Sequence, residues 1–127
     1  MAYVSEEAEV SFGKDDIIVR KYVNGITGGK VLNTEGYSEP FIKAGQVVVK
    51  NTETEVYKPL GITNGAYISL PSGYEYAGIV VSTVKTDEPL VGIITAGEVN
   101  DKALPYPIDS IKTAIAAALP ALYFNHD

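Results

Sequence analysis

The sequence predicts a mainly β domain, a compact β-sandwich or β-barrel-like body completed by one C-terminal α-helix and a short terminal strand. Three observations point there. Runs rich in Val, Ile and Tyr recur at 17–23, 47–50, 76–84 and 90–95, and β-branched and aromatic residues suit the pleated, half-buried surface of a strand. The 12 Gly and 7 Pro are scattered between these runs as turn punctuation. Apolar residues at helical spacing stand out in one place, at Ile108, Ile111 and Ile115.

Taken in order, residues 1–13 are acidic and weakly patterned, with Glu6, Glu7 and Glu9 close together. They read as an arm that is flexible or ordered only against a partner. The strand at 17–23 is followed by Asn24-Gly25 and Gly28-Gly29, both turn signals. Residues 34–40 read as a loop, since Pro40 cannot sit in a central strand. Phe41 and Ile42 lead into the strand at 47–50, and the turn at 51–54 joins it to 55–60 as a hairpin. A short strand at 67–70 precedes the turn Pro71-Ser72-Gly73, and the strands at 76–84 and 90–95 are split by 86–89. Residues 96–100 read as a small-residue turn.

The helix is expected near 108–119, with Pro107 before it and Pro120 ending it, because the residue before proline is pushed away from the α region. Asp109 and Ser110 are expected in its first turn, where a carboxylate complements the helix dipole. Ala114, Ala116, Ala117 and Ala118 make a small-residue face that admits another backbone. Residues 122–125 form the terminal strand.

A chain of 127 residues is one domain, 1–127, long enough to bury roughly two-thirds of its unfolded surface. Net charge is −6 with a single Arg, so the surface repels phosphate backbones and nucleic acid is not an expected partner. No Cys is present, which removes disulfides, thiolate metal sites and Cys nucleophiles. The N-terminus lacks a signal-peptide pattern and no apolar run approaches a membrane span, so a soluble chain made in the cytoplasm is expected.

Catalytic chemistry finds little footing. The only histidine, His126, is the penultimate residue, where chain ends fray, and a general base must be held in place. The stretch Gly25 to Val31 passes for a phosphate loop but is one residue short, and Val31 stands where a magnesium-holding Ser or Thr belongs. Asp15-Asp16 has no EF-hand spacing around it. The expectation is a non-enzyme with no cofactor and no metal. Tyr57, Tyr67, Tyr74 and Tyr76 are the candidates for a carbohydrate- or host-surface-binding platform, the alternative function for such a β module. A trimeric nucleotide hydrolase of the dUTP pyrophosphatase type has a similar length, but residues 73–78 do not match its glycine-bounded motif.

The order of motifs resembles the phage head fibre proteins across nearly the whole chain. The resemblance runs through Val10 to Asp15, Arg20 to Val23, Ile42 to Val47, Tyr57-Lys58-Pro59, Tyr76 to Val80, Gly97-Glu98-Val99-Asn100, the helix, and Leu122-Tyr123-Phe124. More distantly the chain is similar to lambda-type head decoration proteins, with their Val-Gly-Ile strand (here Val91-Gly92-Ile93) and late helix before a terminal strand. The resemblance implies a phage or prophage virion protein on the outer capsid surface, partnered by the major capsid protein and assembled as a homotrimer. No stalk sequence follows the terminal strand, so a fibre base or decoration knob is expected. The arm would pair with a strand edge of the capsid through Tyr3, Val4 and Phe12. Ala114, Ala117 and Ala118 would face a neighbouring subunit.

Overall fold

The computed structural model describes residues 18–125. The arm at 1–13, its anchors Tyr3, Val4 and Phe12, the Asp15-Asp16 pair and His126 lie outside the described residues. The chain is mainly β. Its elements are β1 (Val19–Gly25), β2 (Lys30–Val31), β3 (Phe41–Ile42), β4 (Val47–Asn51), β5 (Tyr57–Pro59), β6 (Ile62–Thr63), β7 (Ala66–Tyr67), β8 (Tyr74–Val80), β9 (Val84–Lys85), β10 (Leu90–Val91), β11 (Ile93–Asn100), α1 (Lys112–Ala118) and β12 (Leu122–Asn125).

A six-stranded sheet runs in the order β5-β4-β8-β11-β1, with β12 added to β11. Three two-stranded ribbons, β2–β10, β3–β9 and β6–β7, lie apart from it. The Val47-Val48-Val49 run is fully buried on both faces because successive side chains in a strand point to opposite sides. Val47 and Val49 join Ile79, Ile94, Ile108, Ile111, Ile115 and Leu122 in one cluster. Val48 joins Val80, Ile93, Leu32, Ile42 and Val91 in the other. One face of the sheet is therefore covered by the C-terminal helical segment together with the β6–β7 ribbon, and the other by the β2–β10 and β3–β9 ribbons.

Strand β11 organises the far end of the sheet. Ile93 and Ile94 pair with β8, and Gly97 to Asn100 pair in parallel with β12. On its opposite edge Ile94 to Val99 pair antiparallel with β1. Residues 96–100 are thus strand, correcting the turn expected there. The local composition is poor for a strand, but two neighbouring strands, β1 and β12, satisfy its backbone groups. Gly97 is required for this crowding. At φ 141 a Cβ here would stand 2.1 Å from the Lys21 carbonyl oxygen, a contact no side chain accepts.

The parallel β11–β12 pair needs a crossover connection, and α1 is carried by it. The helix is shorter than the spacing predicts, Lys112–Ala118 rather than 108–119. Ile108 to Ile111 form a turn closed by the Ile111 N–H donating to the Ile108 carbonyl at 2.9 Å. Asp109 and Ser110 precede the helix instead of occupying its first turn, consistent with the competition such side chains offer to helical backbone bonds. The apolar face is as the spacing predicts: Ile108, Ile111 and Ile115 are all buried.

Other boundaries shift for reasons of pairing. Asn24 and Gly25 finish β1, and the turn falls at Gly28-Gly29, where the Gly29 N–H reaches the Ile26 carbonyl. The run at 76–84 leaves the sheet after Val80, and Val84 pairs instead with Ile42 in the β3–β9 ribbon. The hairpin β4–β5 forms as expected. Only Ala66 and Tyr67 of the next stretch are strand, paired with β6 across the two-residue turn Asn64-Gly65. Both turn residues have positive φ, the geometry that Asn-Gly favours in a tight hairpin.

Candidate functional site

Two kinds of surface stand out, a polar-rimmed cleft and a set of exposed apolar side chains. The cleft has a volume of about 470 Å³ and lies between the loop bearing Gly36, Tyr37, Ser38 and Glu39, the β6–β7 hairpin, and Tyr106. Its two tyrosines are held by the buried framework. The Tyr37 hydroxyl reaches the Phe41 carbonyl at 2.8 Å and Gln46 Oε1 at 3.1 Å, and Gln46 itself is fully buried. Burial pushes the Tyr37 phenol above the usual tyrosine range. The Tyr106 ring meets Tyr67 edge-on, with centroids 5.9 Å apart, and carries the Lys43 ammonium 5.5 Å from its own centroid. The Glu39 segment is pinned by the Thr86 hydroxyl, which donates to the Glu39 carbonyl at 2.6 Å.

The four tyrosines that are candidates for a platform under the alternative function do not form one. Tyr67 and Tyr76 are core residues, 4% and 7% exposed, and burial raises the phenol pKa of Tyr67 strongly. The Tyr67 hydroxyl accepts the Val47 N–H at 3.2 Å, which ties it to the central sheet. Tyr57 is covered by Lys30 and Lys50, at 5.4 and 5.8 Å from its ring centroid. Lys58 lies 4.4 Å from the Tyr74 centroid. These four are candidates by residue type alone, whereas Tyr37 and Tyr106 meet only through the fold. One local signal for the cleft was present: Asn64-Gly65, a hairpin turn that builds one of its walls.

The apolar surface is concentrated on edge and ribbon strands. On β1, Tyr22 and Val23 are 56% and 61% exposed. Val31 and Leu90 are directly paired across the β2–β10 ribbon and both exposed. Tyr123 on β12 is also exposed, in lateral register with Glu98 of β11 and Lys21 of β1. A polar staple crosses the same three strands: the Arg20 guanidinium donates to Asn125 Oδ1 and lies 4.0 Å from Glu98 Oε1, while Asn125 Nδ2 donates to that oxygen at 3.0 Å.

The alanines expected at a subunit contact, Ala114, Ala117 and Ala118, are exposed on one side of α1, beside the buried Ile115. Among the described residues no group of acidic and histidine side chains has the arrangement to hold a metal ion, and no helix is long and apolar enough to cross a membrane. Comparison with protein-family models, with curated proteins and with solved structures finds no match.

Proposed function

We propose that this chain is a non-enzymatic phage virion protein that binds the outer capsid surface, as a head fibre base or decoration protein, and stabilises the head. The observation that carries the reading is the apolar surface of β1 and the β2–β10 ribbon, where Tyr22, Val23, Val31 and Leu90 stand in solvent on a body whose core is otherwise closed. Large apolar side chains gathered on strand edges are the surfaces that partner proteins cover. The resemblance of the motif order to head fibre proteins is what suggests the partner, the major capsid protein. The exposed Ala114, Ala117 and Ala118 face is available for homotrimer contacts.

Cosedimentation with heads of the encoding phage or prophage tests the proposal. The purified chain is expected to pellet with heads and to remain in the supernatant without them. Substituting Val23 and Val31 with Lys is expected to reduce pelleting without unfolding the protein. Deleting residues 1–12 is expected to abolish pelleting through loss of Tyr3, Val4 and Phe12. No pelleting of the intact chain at saturating concentration would overturn the reading. Light scattering after size exclusion is expected to give a trimer mass, and a concentration-independent monomer would remove the trimer from the proposal.

A further inference from the structure

We infer that the cleft between Tyr37 and Tyr106 is a binding site for a neutral hexopyranose ring, a site independent of capsid attachment. Its volume, about 470 Å³, falls in the range of small-molecule pockets. The shape is set in advance, since both rings are fixed by the bonds and ring contact described above. A pyranose presents an apolar C–H face and a rim of hydroxyls. Tyrosine rings match the first, and the second needs polar groups at the edge of the rings.

The rim supplies them. Glu39 brings a carboxylate acceptor and Ser38 a hydroxyl that both donates and accepts. Gly36 and Gly65 leave their backbone open, with nothing within 4 Å of where a Cβ would stand, so ligand hydroxyls can approach peptide groups. The charges point to a neutral ligand. The Lys43 ammonium already sits against the Tyr106 ring, which disfavours a second cation there. The Glu39 carboxylate at the rim disfavours an anion such as phosphate.

The test is an amide NMR titration of the full chain with methyl glucoside, methyl galactoside and N-acetylglucosamine, with choline chloride and inorganic phosphate as charged probes. Glycine amides at Gly36, Gly61 and Gly65 report the cleft directly. Saturable shifts of these amides with at least one sugar are expected, with none from choline or phosphate. Glu39→Gln, an exposed change that leaves the core intact, and Tyr106→Ala are each expected to weaken the sugar by roughly tenfold, while Tyr106→Phe keeps it. Tyr123→Ala, on β12 and not among the residues that line the cleft, is expected to leave affinity unchanged. No glycine shift with any of the three sugars would overturn the site. Shifts with choline or phosphate alone would overturn the ligand class. Full affinity in Glu39→Gln would overturn the role of the carboxylate.

Discussion

Strands β4 and β1 carry similar material and meet opposite fates. Both are valine-bearing, VVVKN and VRKYVNG. β4 is flanked by β5 and β8 and buried on both faces, whereas β1 pairs with β11 alone among the described residues and is exposed along most of its length. β4 has an even register with β5 and a single slip against β8, while β1 slips against β11 at three places. Such irregularity is common at sheet edges, where bulges blunt the strand as a template for aggregation. The contrast teaches that one strand is spent on the core and the other left as surface, with Tyr22 and Val23 available to a partner.

The sharpest way to break the contrast is to damage the centre. Ile79 is fully buried and opposite Val47, so Ile79→Ala is expected to cost about 2–5 kcal/mol in urea unfolding. A loss no larger than that of an edge substitution would show that the core is not where the burial places it.

Gly97→Ala attacks the junction between the two regions. The new Cβ would collide with the Lys21 carbonyl in a backbone conformation that favours glycine, for an expected cost of about 2–3 kcal/mol. Hydrogen exchange should then show β1 amides losing protection while β4 amides keep theirs. Equal loss in both strands would mean that β1 is not a separable edge.

Tyr67→Phe probes the tie between the cleft side and β4. Removing the hydroxyl strands the Val47 N–H and is expected to cost about 1–3 kcal/mol near neutral pH. The same residue makes stability depend on alkaline pH. Its folded pKa is raised above the unfolded value of 10.0, chiefly by burial. Its contribution is therefore fully present below about pH 10 and lost as pH rises beyond it, because the unfolded chain then gives up the proton that the folded one keeps. The urea midpoint of the unaltered protein should fall between about pH 9 and about pH 11, and fall less in Tyr67→Phe. An identical fall in both would assign the effect to other groups.

The smallest effect is expected at the edge itself. Val23→Ala should change stability by no more than about 0.5 kcal/mol, because the side chain is mostly in water. A cost above 1.5 kcal/mol, on the order of a core truncation, would show that β1 is covered in the isolated protein.

Much of this architecture is legible in residue order. The run at 47–50 reads as a strand and is one, the isoleucines spaced at 108, 111 and 115 are all buried although only Ile115 lies within the helix, and the hairpin of β4 and β5 forms where the turn at 51–54 places it. The cleft was not legible. Tyr37 and Tyr106 are far apart in the chain, and each lies in a stretch with no regular pattern to signal that it would be held in place.

Local preference settled which runs extend, where Pro and Gly interrupt them and which face of the one helix among the described residues is apolar, because those depend on neighbours within a few residues. Tertiary pairing decided the rest. It drew Ala96 to Asn100 into β11 against their own propensity, shortened the helix to Lys112–Ala118, sent Tyr67 and Tyr76 into the core, and left β1 at the rim. The physical reason is that backbone hydrogen bonds and apolar burial between distant segments outweigh the smaller differences in local propensity, and no local pattern records which segments will meet.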